Sequence, residues 1–146
     1  MIGLIFISCS EDEPQVDFKQ QAVGSYSINL DYVDASGNSI SDNIDGEISI
    51  DGNNLVFSAD GENETLIGVR EASNGLAFNI ENNSDVDADG DTYSIRGTKN
   101  VTLDGSDYDG SYDTDSGELY FQIEYVYTNR DFAAFDAVIT FSGFKK

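Results

Sequence analysis

The chain has 146 residues, of which 28 are acidic and 7 are basic, so its formal net charge is −21. A surface of that sign repels phosphate backbones, which excludes nucleic acid as an expected partner. The chain has no histidine and one cysteine, which excludes imidazole chemistry, histidine-ligated metals and an internal disulfide.

The N-terminal residues combine a short apolar run, a small residue, the only cysteine and a group of acids. Six to eight apolar residues are too few for a membrane span, which needs about 20. This order is typical of a processing segment rather than of folded structure. We predict a signal remnant over residues 1–8, an acidic tether over 9–22 and one folded domain over 23–146. A basic n-region is missing, so we expect the natural start to lie further upstream.

The same residues resemble the end of a bacterial lipoprotein signal, with Phe6-Ile7-Ser8 as the lipobox and Cys9 as the lipidated residue. The acidic Ser10-Glu11-Asp12-Glu13 that follows resembles the export tag of surface-exposed lipoproteins in Bacteroidota. The resemblance implies that a lipid on Cys9 anchors the protein in the outer membrane. It also implies that the domain is exposed at the cell surface.

From residue 24 onward, apolar and polar residues alternate, as in strands that bury one face. Tyr26, Ile28, Leu30 and Tyr32 form the apolar face of the first run. The same alternation recurs in runs at 44–50, 55–57, 76–80, 93–95, 119–127 and 137–141. Turns that contain glycine, such as Asp60-Gly61, separate the runs at the spacing typical of hairpins.

These patterns predict an all-β domain of about eight to ten antiparallel strands in an up-and-down meander. The meander closes into a β-barrel or packs as a β-sandwich, and the pattern alone leaves both open. The opening Gly24-Ser25-Tyr26, the series of hairpins and the last strand resemble calycin-like or lipocalin-like lipoproteins. The resemblance implies a barrel that encloses a small ligand or is filled by its own side chains. A filled interior is at least as well supported as a ligand cavity, because four large side chains are expected to point inward: Phe57, Phe78, Phe121 and Phe141.

One loop matches the first half of a calcium-binding loop, with alternate acids at Asp85, Asp87, Asp89 and Asp91. Gly90 permits the sharp bend, but Arg96 stands where a bidentate glutamate is required, so another acid such as Glu81 would have to complete the shell. Two interpretations stay open, a weak calcium site and a solvated acidic hairpin. The acidic stretch 104–115 is a weaker match still.

The sequence gives little support for catalysis. The only catalytic groups left to consider are pairs of carboxylates, and a chain with 28 acids contains many such pairs by chance. We therefore predict a non-catalytic surface module that binds a small apolar molecule or a glycan. The alternatives are a structural or adhesion protein stiffened by calcium and, last, a carboxylate-based glycosidase. Tyr108, Tyr112 and Tyr120 are expected to pack at the surface rather than form a sugar platform.

Overall fold

The computed structural model describes residues 18–34, 36–128 and 134–146, with backbone only for residues 134 and 135. These residues form an antiparallel all-β barrel. The predicted all-β fold class is thereby confirmed. Of the two architectures that the sequence pattern left open, the structure shows the barrel. The barrel is compatible with a calycin-like or lipocalin-like architecture.

Within these ranges a 3₁₀ helix, Phe18–Ala22, precedes twelve strands. In chain order the strands are β1 (Gly24–Val33), β2 (Ser39–Asp51), β3 (Asn54–Ala59), β4 (Glu62–Ala72), β5 (Gly75–Ile80), β6 (Asn83–Val86), β7 (Thr92–Gly97), β8 (Val101–Leu103), β9 (Ser106–Tyr108), β10 (Gly110–Asp113), β11 (Glu118–Thr128) and β12 (Ala134–Lys145). No helix in the described part of the chain has the length and apolar character needed to cross a membrane.

Eight of the strands close the barrel in the order β1-β2-β3-β4-β5-β10-β11-β12, with β12 pairing back onto β1. Strands β1 to β5 follow one another as hairpins, as predicted for a meander. The chain leaves the meander after β5, and β10 rather than β6 pairs with the free edge of β5.

Strand β11 divides one of its edges between two partners. Its first half, Leu119–Phe121, pairs with β10, whereas its second half, Ile123–Thr128, pairs with β7. Strand β6 then pairs with β7, and β8 pairs with β9 in a separate small sheet. The wall beside the second half of β11 therefore belongs to the β6–β7 hairpin.

The antiparallel order gives the barrel two unlike ends. We call the end at which β1 begins and β12 finishes the closed end, because the 3₁₀ helix packs there against β2, β4 and β5. We call the opposite end, at which β1, β3 and β11 finish, the mouth. The chain enters the barrel at the closed end.

Buried side chains concentrate between the closed end and the middle of the barrel. This core includes Tyr26, Ile28, Ile48, Leu55, Leu66, Leu76, Phe78, Leu119 and Phe121. At mid-height the rings of Phe121 and Phe141 stack with centroids 4.4 Å apart, and Phe57 meets Phe121 edge-on at 5.1 Å. The four phenylalanines predicted to point inward therefore do so, but they fill only one half of the barrel.

The 3₁₀ helix is held by hydrogen bonds to its carbonyl oxygens. The Tyr26 hydroxyl donates to the Ala22 carbonyl at 2.5 Å, and Lys145 Nζ donates to the Gln21 carbonyl at 2.7 Å. Ala22 is fully buried, and Phe18 packs against the core. Residues 18–22, which the sequence assigns to the tether, thus belong to the folded domain because their apolar side chains close its end.

The acidic stretch 104–115 also differs from its sequence interpretation. It contains the β8–β9 turn and all of β10, and it buries Tyr108 and Tyr112. The expectation that these two tyrosines pack at the surface is therefore wrong. Their period-two placement around β10 carries them into the core, where the Tyr112 ring meets the Tyr26 ring edge-on at 6.1 Å.

Candidate functional site

The mouth opens into a cavity of about 500 Å³ inside the barrel. Seven strands line it, β1, β2, β3, β4, β7, β11 and β12, so it is the open half of the barrel itself. Its apolar wall consists of Leu30, Ile44, Phe57, Ala59, Ile95, Ile123, Ile139 and Phe141. Small-molecule sites are typically concave, mostly apolar and about 300–1,000 Å³ in volume, which is the range of this cavity.

The aromatic rings at mid-height form the floor of the cavity. Phe57 leans across the barrel over Gly46, where a Cβ atom would lie only 2.6 Å from Phe57 Cε1. The absence of a side chain at Gly46 thus lets the Phe57 ring reach Phe121 and Phe141. The floor separates the packed half of the barrel from the open half.

The β3–β4 turn helps to leave the mouth uncovered. Ala59 pairs with Glu62 across the two-residue loop Asp60-Gly61, whose φ angles are 51° and 81°. Two successive positive φ angles are those of a type I′ turn, for which Asp-Gly is a preferred sequence. Because the turn is this short, the hairpin ends at the rim and does not fold over the cavity.

Glu64 places a carboxyl group within the apolar wall. It lies directly across from Phe57 on β3, so its side chain points into the barrel. Burial raises the pKa of Glu64 to about 7, and the negative charge of Glu62 adds to the increase. Among the described residues, no side chain or backbone group forms a hydrogen bond or an ion pair with this carboxyl. Glu64 is thus a half-buried acid that pairs with no cation in the described part of the chain.

Two tyrosines on the opposite wall supply the other polar groups of the cavity, Tyr93 from β7 and Tyr125 from β11. The Tyr93 hydroxyl donates a hydrogen bond of 3.2 Å to Asp85 Oδ2 on β6. This hydrogen bond, together with the charge of Asp85, raises the pKa of Tyr93. The cavity therefore offers aromatic faces and acids, and none of the described residues that line it is a lysine or an arginine.

Asp109 stabilises the barrel where β11 changes partner. It is 1% exposed, and its carboxylate accepts hydrogen bonds from the amides of Ile80 at 2.7 Å and Lys99 at 2.9 Å. The Lys99 ammonium group lies 3.3 Å from the same carboxylate. A Cβ atom on Gly97 would overlap Asp109, so only glycine fits there. The carboxylate thereby joins β5, the end of β7 and β10.

The predicted calcium loop forms the turn of the β6–β7 hairpin. Asp87 Oδ1 accepts hydrogen bonds from the amides of Asp89 at 2.9 Å and Asp91 at 3.0 Å, so it caps the turn. Asp85 and Asp91 accept from the hydroxyls of Tyr93 and Tyr127. In the part of the chain that the structure describes, no three acids converge on a point that could hold a metal ion. Calcium binding at these four aspartates stays a prediction.

The predicted lipid anchor, Cys9, lies outside the described residues, as does the acidic segment that follows it.

A second depression, of about 620 Å³, lies on the outer surface of β1, β2 and β12 and has Asp31, Asp34 and Asp136 in its wall. It is a shallow groove rather than an interior, which makes the mouth the better candidate site.

Sequence reasoning did not find Glu64, because β4 lacks apolar alternation where it lines the mouth. Its inward residues there are Glu62 and Glu64, followed by the buried Leu66. The sequence feature that could have located Glu64 is the Asp60-Gly61 turn, because a two-residue hairpin loop fixes the register of the strands on either side of it. Counting back from that turn places Glu64 opposite Phe57.

Neither a scan against protein-family models nor searches of curated proteins and of solved structures finds a match to this chain. The interpretation of the mouth therefore rests on its own residues.

Proposed function

We propose that this protein is a non-catalytic binding module that holds a small, largely apolar molecule in the mouth of its barrel. The observation that carries the proposal is the cavity of about 500 Å³ between the aromatic floor and the rim. Burying the apolar surface of a ligand there is favourable by about 25 cal/mol per Å².

The composition of the wall favours an apolar ligand over a glycan. Sugar recognition needs several hydrogen-bonding groups beside an aromatic face, and most side chains around this cavity are aliphatic or phenyl. Tyr108 and Tyr112, which were considered as a sugar platform, are buried in the core. Tyr120 accepts a hydrogen bond of 2.6 Å from Asn100 on the outer surface, away from the mouth.

The acids of the mouth do not support the glycosidase alternative. Glu62 and Glu64 are two residues apart on one strand and project from the same side of the cavity. Glycoside hydrolysis needs two carboxyl groups that flank the scissile bond. For this reason we assign binding rather than hydrolysis to the site.

The proposal is tested by filling the cavity with a side chain. The neutral dye N-phenyl-1-naphthylamine fluoresces when it enters an apolar site, and we expect the protein to bind it. Ile139→Trp, which projects a large ring into the cavity, should reduce this binding by at least about tenfold. Val138→Trp is the matched control, because Val138 is the adjacent residue of β12 and points outward, 47% exposed. Equal dye binding by both variants, or none by the unmodified protein, would contradict the proposal.

We further propose that the module is held at the outer membrane by a lipid on Cys9, exposed at the cell surface. Support comes from the sequence before residue 18, where the apolar run, the small residue, the cysteine and the acids follow in order. Expression of the gene with its natural upstream region, in the presence of a radiolabelled fatty acid, should label the protein. Cys9→Ser should abolish the label and release the protein from the membrane fraction, and labelling that survives the substitution would exclude this anchor.

A further inference from the structure

We propose that the ligand of the mouth is an amphipathic cation, whose ammonium group pairs with Glu64 while its apolar body occupies the cavity. This inference rests on the proposed binding function and specifies the chemical class of the ligand. It follows from the position of one carboxyl group and from the distribution of charge around it.

Glu64 is the inward-facing acid nearest to the floor of the cavity. Its cross-strand neighbour Phe57 is 3% exposed, and Leu66, the next inward residue of β4, is fully buried. A carboxyl group in such surroundings loses much of its hydration and needs a compensating partner. Within the described residues the protein supplies neither a hydrogen bond nor a cation, so the ligand is left to supply one.

The groups that face Glu64 are acidic or aromatic. Glu62 lies on the same strand, Asp60 on the adjoining turn, Tyr93 on β7 and Tyr125 on β11, while the described lining residues of β1, β2, β3 and β12 are apolar. Two aromatic faces near an acid suit an ammonium group, which they attract through their π electrons. The acids of this set would repel an anionic ligand.

The charges of the whole molecule act in the same direction. The chain carries 28 acids against 7 bases, and three of the bases, Lys19, Lys145 and Lys146, lie at the closed end. Lys145 and Lys146 are also engaged there, with the Gln21 carbonyl and with Asp45. A negative potential at a concave site with low-dielectric walls concentrates cations and speeds their association.

The test compares three ligands that share one apolar chain and differ in the charge of the head group. Decylammonium, decan-1-ol and decanoate are used to displace the naphthylamine dye from the unmodified protein at pH 8. We expect decylammonium to bind roughly tenfold more tightly than decan-1-ol, since a charge-assisted hydrogen bond contributes about that much. Decanoate should bind most weakly.

Two further measurements attribute the preference to Glu64. Glu64→Gln should bind decan-1-ol normally and lose the preference for decylammonium, whereas Glu71→Gln, an exposed acid on the same strand, should retain it. At pH 6 the unmodified protein should resemble Glu64→Gln, because the pKa of Glu64 is about 7 and its carboxyl is then largely protonated.

Each outcome decides between the two proposals. Equal binding of the three ligands, or a preference for decanoate, would overturn the cationic ligand and leave the binding function standing. A preference that survives Glu64→Gln would overturn the role of Glu64. Failure of the dye and of all three ligands to bind the unmodified protein would overturn the binding function itself.

Discussion

The two halves of this barrel are made by the same strands and yet have opposite properties. On β11, Leu119 and Phe121 face the closed half and are fully buried, whereas Tyr125, on the same face toward the mouth, is half-buried and lines a cavity. The closed half is packed around aromatic rings and covered by a 3₁₀ helix, and the open half has an aliphatic wall that contains the half-buried carboxyl of Glu64. The difference teaches that one set of strands can form both a packed core and an open cavity.

The largest difference in stability is expected between a substitution in the floor of the cavity and one in its wall. Phe121→Ala removes a fully buried ring that contacts Phe57, Phe78 and Phe141, and should lower the free energy of unfolding by about 3–5 kcal/mol. Ile95→Ala, in the half-buried wall, should lower it by about 1 kcal/mol, because the open cavity already exposes part of that side chain. Urea denaturation measures both. Similar losses would show that the open half contributes to stability as much as the packed half does.

A second effect concerns the place where the two halves join. Asp109→Ala leaves the amides of Ile80 and Lys99 without their acceptor, which should cost about 3 kcal/mol of unfolding free energy. The control is Asp107→Ala, two residues earlier, where an exposed carboxylate accepts a hydrogen bond from Thr102. We expect that variant to lose less than about 1 kcal/mol. A small loss in Asp109→Ala would mean that strand pairing alone holds β10 in place.

A third effect has the opposite sign, because Glu64 opposes folding when it is charged. The pKa of its carboxyl rises from 4.5 to about 7 on folding, so its contribution to stability falls as the pH rises through that interval. Glu64→Gln should therefore stabilise the protein by about 1–2 kcal/mol at pH 8, a value that allows for partial exposure of the carboxyl. At pH 4.5 the gain should nearly vanish.

Glu71→Gln controls for the general relief of negative charge, since it removes an exposed acid from the same strand. Denaturation curves for both variants at the two pH values would measure the difference. An equal gain in both variants at pH 8 would assign the effect to net charge rather than to the surroundings of Glu64.

The smallest effect is expected at the turn of the β6–β7 hairpin. Asp87→Ala removes the acceptor for two backbone amides and should lower the free energy of unfolding by about 1 kcal/mol. If Asp87 only caps the turn, the loss will be the same in millimolar calcium and in a chelator, and Glu81→Ala will show no loss in either. A larger loss in calcium than in chelator would instead support the metal site that the spacing of the aspartates suggests.

Much of the fold is predictable from the sequence, and the candidate site is not. Alternation identified β1, β2, β3, β5, β7, β11 and β12, because most of their inward residues are apolar. The same rule fails for β4 and β10, whose inward positions include Glu64 at the mouth and Gly110 where the barrel closes. A carboxyl group that faces a cavity has the sequence signature of a solvated surface, so periodicity alone cannot distinguish the two.

Long-range pairing accounts for the other failures. Nothing local indicates that β10 joins β5, or that Asp109 leaves the solvent, because both depend on a contact formed some thirty residues away along the chain. The acidic stretch 104–115 therefore looked like a loop although it carries Tyr108 and Tyr112 into the core. The sequence of the β3–β4 turn says more than periodicity does, because the two-residue loop Asp60-Gly61 fixes which residues of β3 and β4 lie opposite each other.

The divided edge of β11 has a consequence for how this protein can change. Because the eight closing strands meet without β6 and β7, the turn between β6 and β7 can change in length without breaking the pairing that closes the barrel. Insertions, deletions or grafts in that turn would reshape the rim of the mouth, while the packed half retained its pairing. Under the proposed binding function, a change of specificity would then need changes in one hairpin only, and the stability of the packed half would be preserved.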